Sequence, residues 1–167
     1  NLNQSREMYF RRVAQKTAAL FSMATESGAA MSQAPEKSIQ ILIKYGYDLG
    51  IAFQIVDDIL DFIGTEEELG KPAGSDLSQG TITLPSMLLL DKYPQDNPVK
   101  RLKDSPDRQV EIQRAIEMVR NSSVIQECYQ VASDYCAKAR RDLLKLPDKV
   151  GRQSLIDLTE FVTIRKK

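Results

Sequence analysis

Leu49-Gly50-Ile51-Ala52-Phe53-Gln54-Ile55-Val56-Asp57-Asp58-Ile59-Leu60-Asp61-Phe62-Ile63 is apolar almost throughout, yet it carries three aspartates. No Lys or Arg occurs between Lys44 and Lys71, so no basic neighbour in sequence pairs with them. On a helix, spacings of three and four bring side chains together, which places Gln54, Asp57 and Asp61 in one polar strip. Asp58 then sits about 100° around from Asp57. Carboxylates crowded on an oily helix repel one another and resist burial. A divalent cation removes both problems, and hard oxygen ligands with room for water and phosphate suit Mg²⁺. The competing reading is a solvated acidic face. Such a face usually mixes charges and recurs every turn, whereas this is a single patch on an otherwise apolar helix.

The rest of the chain narrows the choices. At 167 residues it is long enough for one domain, residues 1–167, with a sizeable core. Lys+Arg and Asp+Glu are both 23, and a zero net charge argues against nucleic acid as a partner. No apolar run reaches the length of about 18–20 residues that spans a bilayer. The first residues, Asn1 to Glu7, are polar and unlike a signal peptide. Histidine is absent, which removes His-based triads, bases and metal sites. Cys128 and Cys136 lie about 12 Å apart along a helix, too far for a disulfide within it. They read as small buried apolar residues, and they fit a reducing, cytoplasmic setting. Any metal here is therefore held by oxygen.

In chain order, residues 5–30 read as a helix. Tyr9, Val13, Lys16, Thr17, Leu20 and Ala24 share a broad arc, so Lys16 falls on the apolar side. That lysine either snorkels to water or points its ammonium into a cleft. Pro35 opens the next helix, 36–63, which carries the aspartates. Gly46 and Gly50 weaken it locally by about 1 kcal/mol each and read as packing positions. Residues 64–85 hold four glycines and two prolines, a loop-rich connection with Lys71 in a Gly-Lys-Pro turn. A long polar loop beside an acidic helix suits a lid or ligand loop, or an ordinary surface loop.

The remainder reads as helical core. Pro94 and Pro98 bound a turn. Ser105-Pro106 starts a helix running to Val119, with Ile112, Ile116 and Val119 on one stripe. Ser123 with Gln126 resembles a capping box. Val124, Cys128, Val131, Tyr135, Ala139 and Leu143 give the next helix its core face. Leu155, Leu158, Phe161 and Val162 line a last helix, whose basic end Arg165-Lys166-Lys167 suits its dipole. No strand signal is present, and the expected fold class is all-α.

Four separated elements, in order, resemble the trans-polyprenyl diphosphate synthase family. Gly50-Ile51-Ala52-Phe53-Gln54-Ile55-Val56-Asp57-Asp58-Ile59-Leu60-Asp61 is similar to its second aspartate-rich motif, G-x-x-F-Q-x-x-D-D-x-x-D. Lys16-Thr17 resembles the upstream K-T pair. Gly70-Lys71-Pro72 with Gly74-Ser75-Asp76-Leu77 resembles the G-K-x-x-G-x-D-L loop, and Thr83-Leu84-Pro85 its T-L-P close. The resemblance implies a helical bundle of the isoprenoid synthase type around a cavity. It implies a Mg²⁺-dependent prenyltransferase that condenses an allylic diphosphate with isopentenyl diphosphate to a linear trans-polyprenyl diphosphate. Asp57 and Asp61 would hold Mg²⁺, with Asp58 supporting them. Lys16 and Lys71 would bind the allylic diphosphate, and Thr17 and Gln54 would line the site near the reacting carbons. A homodimer or heteromer is implied as well.

Two departures matter. Gly80 is followed by Thr81 where the family commonly has Lys, which resembles the medium- and long-chain members. The chain also begins just before the K-T pair, and Asp57-Asp58 is its only D-D pair. The family's other aspartate-rich motif and its isopentenyl-diphosphate residues are not in it. The expectation is therefore the C-terminal half of a synthase, an incomplete bundle holding the allylic-diphosphate half of the site and inactive alone. The alternatives are a non-catalytic helical subunit that binds and stabilises a partner synthase, and a purely structural module. Retention of Lys16, Asp57, Asp61 and Lys71 together argues against the former, and the four ordered motifs against the latter. Terpene cyclisation also ionises a diphosphate, but the Gly-Lys-Pro loop fits chain elongation better.

Overall fold

A computed structural model describes residues 4–165, apart from the side chains of Glu68 and Leu69. Its helices are α1 (Arg6–Val13), α2 (Ala19–Met31), α3 (Glu36–Ile63), α4 (Glu66–Leu69), α5 (Ser75–Ser78), α6 (Leu84–Lys92), α7 (Pro98–Arg101), α8 (Arg108–Arg120), α9 (Val124–Leu143) and α10 (Val150–Ile164). A π-helical turn, Ala14–Ala18, joins α1 to α2. Among the described residues there is no strand, so the fold class is all-α as the periodicity indicated. None of these helices is long and apolar enough to cross a membrane.

The chain forms two compact units, and α1, α3 and α9 each contribute to both. One unit holds residues 4–9 and 57–129. Its core is Ile59, Phe62, Leu77, Leu84, Leu89, Val99, Ile116 and Val119, all buried. Burying each such side chain contributes about 1.5–3 kcal/mol relative to exposure. Helix α8 packs on α5, α6 and α7 here. Its N-cap is Asp107, whose carboxylate accepts the Gln109 and Val110 N–H groups, and not Ser105-Pro106 as the sequence suggested. The expected turn between Pro94 and Pro98 is followed at once by α7. There buried Asn97 accepts the Val99 N–H at 3.0 Å and donates to the Leu89 carbonyl at 2.8 Å. The Ser123–Gln126 box does not form. Ser122 Oγ accepts the Val124 N–H, and Ser123 Oγ donates to Glu127.

The other unit holds residues 10–56 and 130–165. Its core includes Val13, Ala18, Tyr45, Leu49, Ile51, Ile55, Cys136, Ala139 and Leu143. Helices α2 and α3 meet almost backbone to backbone. A Cβ on Gly50 would stand 2.6 Å from Ala18 Cα, and one on Gly46 2.6 Å from the Phe21 carbonyl oxygen. The close crossing lets small hydroxyls bridge it: Ser22 Oγ donates to the Ile43 carbonyl at 2.8 Å and Thr25 Oγ1 to the Leu42 carbonyl at 2.7 Å. Tyr45 OH donates to the Leu155 carbonyl, tying α10 to α3.

Several faces differ from the periodic reading. The π turn shifts the register of the expected 5–30 helix by adding a residue to one turn, with the Ala19 N–H bonded to the Ala14 carbonyl. Tyr9 and Val13 are buried as expected, but Lys16, Leu20 and Ala24 are exposed. On α9 the buried stripe runs through Ala132 and Cys136, with Val131 and Tyr135 half-buried beside it. Both stripes satisfy a 3.6-residue period, and the smaller side chains take the tighter contact. Cys128 and Cys136 are buried and unpaired, as read from the sequence. On α10 Thr159 and Val162 are buried while Leu158 and Phe161 are exposed. Lys166 and Lys167 lie outside the described residues. Arg165 stacks 4.2 Å over the Phe53 ring, a use other than compensating the helix dipole.

The two glycine environments give opposite signs. Gly50→Ala is expected to destabilise by about 1–3 kcal/mol, because the new methyl meets backbone that cannot yield. Exposed Gly28, with nothing within 4 Å of a Cβ, is expected to gain about 0.5–1 kcal/mol as Ala. Urea unfolding of the two variants checks both; a stabilised Gly50→Ala would contradict the crossing geometry.

Candidate functional site

The unit of residues 57–129 contains the acidic end of α3. Asp57 is half-buried there, while Asp58 and Asp61 are only 3% and 2% exposed. Each buried carboxylate has been given specific partners. Asp58 Oδ2 accepts the Tyr9 hydroxyl at 2.7 Å. Asp61 Oδ2 accepts the backbone N–H of Asp76 at 3.1 Å. Asp61 Oδ1 is buried and accepts a charge-assisted hydrogen bond from the Lys71 ammonium at 2.8 Å.

The loop after α3 is folded back to make these contacts. The Gly74 N–H donates to the Asp61 carbonyl at 2.7 Å. Gly74 has φ +72° and lies where a Cβ would stand 2.9 Å from Ile116 Cδ1, so both backbone and packing require glycine. Leu77 is fully buried and anchors the segment. Arg120 closes the end of α3 by donating from Nε to the Phe62 carbonyl at 2.7 Å. The loop is thus docked on the acidic helix, with Lys71 at its exposed edge. Partial burial pulls the Lys71 pKa down, but contact with Asp61 and the charges of Asp61, Asp76 and Asp57 together raise it above the usual lysine value.

Helical spacing brought the aspartates onto one helix, but the structure turns them toward different partners. Among the described residues no group of three or more His, Cys, Asp or Glu side chains is gathered to hold a metal ion. Bare carboxylates repel, and Asp58 and Asp61 each meet a donor or cation of their own. What remains is a set of hard oxygen donors at the end of one apolar helix.

In the other unit, Thr17 Oγ1 donates to Gln54 Oε1 at 2.6 Å, and both residues are half-buried. The resemblance implies that both line the site; the hydrogen bond between them is a feature of the structure. The π turn holds both Lys16 and Thr17, and such turns recur at functional sites. Lys16 is exposed beside it, so a face read as apolar is open to solvent.

Sequence reasoning missed three supports. Tyr9 looked like one more apolar core residue. The Asp76 N–H and the Arg120 cap act through backbone groups that no spacing rule marks. Only the Gly74-Ser75-Asp76 turn hinted at the first of these amides.

Residues 1–119 match the model of the Polyprenyl synthetase family. The chain belongs to the polyprenyl synthetase family. It is 39% identical over 166 residues to heptaprenyl diphosphate synthase component 2 of Bacillus subtilis, covering 99% of this chain and 47% of that protein. It is 36% identical over 159 residues to decaprenyl-diphosphate synthase of Dictyostelium discoideum, covering 95% of this chain and 34% of that one. Among solved structures, heptaprenyl diphosphate synthase from Staphylococcus aureus superposes with TM-score 0.93 at 37% identity, covering all of this chain and 52% of that one. A polyprenyl synthase from Caulobacter crescentus, complexed with calcium and isoprenyl diphosphate, gives TM-score 0.91 at 32% identity and the same coverage. The chain therefore spans about half the length of the polyprenyl synthetase relatives it matches.

Removing the Lys71 ammonium from Asp61 Oδ1 has an expected cost. Lys71→Met should destabilise by about 1–3 kcal/mol, as a buried carboxylate oxygen loses its partner. The raised Lys71 pKa means its contribution is fully present below the unfolded value of 10.5 and is lost as pH rises through the higher folded value. The stability gap between wild type and Lys71→Met should stay constant through neutral pH and shrink above 10.5. A gap that grows with alkalinity would contradict the ion pair.

Proposed function

We propose that the protein bearing this chain is a Mg²⁺-dependent prenyltransferase. It condenses an allylic diphosphate with isopentenyl diphosphate to a linear trans-polyprenyl diphosphate, and this chain supplies the allylic-diphosphate side of the site. The carrying observation is Asp61 Oδ1, a buried carboxylate oxygen whose partner among the described residues is the Lys71 ammonium. A site that already requires positive charge there suits a divalent ion. The donors are hard oxygens, histidine is absent and both cysteines are buried, which fits Mg²⁺ over softer metals. The Caulobacter relative, crystallised with calcium and isoprenyl diphosphate, supports the same pairing of hard cation and diphosphate.

In this reading Asp57 and Asp61 hold Mg²⁺, and Asp58 supports them from beside. When bound, the ion stabilises negative charge on the departing diphosphate. Lys71 exchanges its contact with Asp61 for the diphosphate oxygens. As the allylic C–O bond breaks, the electron pair leaves with diphosphate, and the Lys71 ammonium meets charge where it develops. The alkene of isopentenyl diphosphate then forms the new C–C bond, and loss of a proton restores a double bond. Lys16, Thr17 and Gln54 are the further candidates for substrate contact, the last two joined by a short hydrogen bond. Groups that bind isopentenyl diphosphate come from sequence beyond these residues. The name component 2 carried by the Bacillus relative supports a second polypeptide as a source, or a second copy of the protein.

Incorporation of labelled isopentenyl diphosphate onto an allylic primer tests the reaction in the complete natural protein; no Mg²⁺-dependent product would sink it. These 167 residues alone are expected to bind inorganic diphosphate with Mg²⁺ but to give no turnover. Asp57→Asn should weaken that binding by more than about tenfold, about 1.4 kcal/mol, in calorimetry. Equal binding with and without Mg²⁺ would remove the metal assignment.

A further inference from the structure

We propose that a cationic hollow formed by α3 and the C-terminal end of α9 binds a multivalent phosphate anion, independently of the Mg²⁺ site. The hollow has a volume of about 340 Å³ and is lined by Lys44, Lys138, Arg141, Asp142 and Lys145. All five belong to the unit of residues 10–56 and 130–165. Four cations and one carboxylate give the lining an excess of three positive charges, on a chain whose net charge is zero. Asp142 is already engaged on both sides. It is 4% exposed, with Lys44 Nζ 2.8 Å from Oδ2 and Lys145 Nζ 2.5 Å from Oδ1. Contact with Lys145 and then Lys44 holds its carboxyl below the usual range, so it is charged and matched. Asp48 lies buried close by, and both Lys44 and Lys138 act on it. Counting Asp48 with the lining still leaves an excess of two positive charges.

Structural reasons cover part of that excess. Arg141 lies in the last turn of α9 and Lys145 just beyond it, where cations meet the helix dipole. The Lys138 ammonium lies 4.4 Å over the Tyr135 ring. The dipole acts over the last turn only, so it does not reach Lys44 or Lys138. Among the described residues neither Arg141 nor Lys138 forms an ion pair, and both are exposed. Arg141 acts on Lys44 as a repelling neighbour, so the like charges feel one another. Like charges crowded around a concavity repel until an anion fills it. An arginine fork pairs with two phosphate oxygens at once, and lysines supply mobile point charges beside it. The volume is at the low end for small-molecule sites, which suits a diphosphate-sized ion. No apolar residue lines the hollow, so it offers no wall to a hydrocarbon tail. Free inorganic diphosphate, released in the reaction proposed above, and a phospholipid headgroup both present this chemistry.

The test uses the complete natural protein in EDTA, so that no metal site takes part. Inorganic diphosphate is expected to shift the ¹⁵N-labelled Arg141 Nε–H resonance saturably, and sodium chloride at equal ionic strength is not. Arg141→Glu alters an exposed side chain that holds no ion pair, and thermal unfolding establishes that the variant folds. It is expected to weaken diphosphate binding in calorimetry by more than about tenfold. Asp57→Asn is expected to leave that binding unchanged, which separates this hollow from the proposed Mg²⁺ site. Sedimentation with phosphatidylcholine vesicles containing phosphatidic acid distinguishes the two sources. Vesicle binding that Arg141→Glu abolishes would assign a lipid phosphate to the hollow. Saturable binding of free diphosphate without vesicle binding would assign the soluble ion. A resonance shift that chloride reproduces would mean screening alone and would overturn the site. Diphosphate and vesicle binding both indifferent to Arg141→Glu would do the same.

Discussion

A carboxylate oxygen buried at the end of an apolar helix and met by an ammonium is the constraint on which the site depends. Isolated buried charge is among the most costly things a protein can hold. Asp61 is tolerated because the loop after α3 brings it one amide and one cation. The loop keeps that shape because Gly74 fits against Ile116, Leu77 enters the core, and the Asp61 carbonyl is itself capped by the Gly74 N–H. A surface loop needs none of this. In the proposed reading the ammonium serves there until a metal and a diphosphate arrive.

The three aspartates show how one helix can serve different ends. Asp58 is tied to a neutral hydroxyl, Asp61 to a cation and an amide, and Asp57 remains half-buried. Their environments differ although their residue type and helix are the same. Lys71 and Tyr9 each meet a buried carboxylate: one is a half-buried ammonium on Asp61, the other a buried hydroxyl on Asp58. In the other unit a short hydrogen bond joins Thr17 to the Gln54 amide.

Much of this was legible in the sequence, for physical reasons. The bounds 36–63 of α3 follow from Pro35 before it and the Gly-rich run after it, and the structure has the helix at Glu36–Ile63. The aspartates stand out because charge on an apolar helix is rare. Lys71 was visible as the first cation after them, but its ion pair with Asp61 was not, because nothing in the spacing folds the loop back onto the helix. Other features were not legible. A π turn at Ala14–Ala18 costs one residue of register and has no compositional mark, so the exposure of Lys16, Leu20 and Ala24 went unforeseen. Periodicity also cannot choose between adjacent stripes on α9, where Ala132 and Cys136 took the core. Asp107 beat Ser105 as a cap by geometry alone. A tyrosine at a core position conceals its hydroxyl from any hydropathy argument, and so Tyr9 read as bulk.

The most direct measurement is a crystal structure of the complete natural protein with Mn²⁺ in place of Mg²⁺ and inorganic diphosphate, recorded at the manganese anomalous edge. An anomalous peak at the carboxylates of Asp57 and Asp61, with Lys71 moved from Asp61 onto the diphosphate, is the result expected. Bound diphosphate with no peak at those carboxylates and Lys71 still on Asp61 would show that the buried oxygen is a structural ion pair, and the metal site would have to be sought elsewhere.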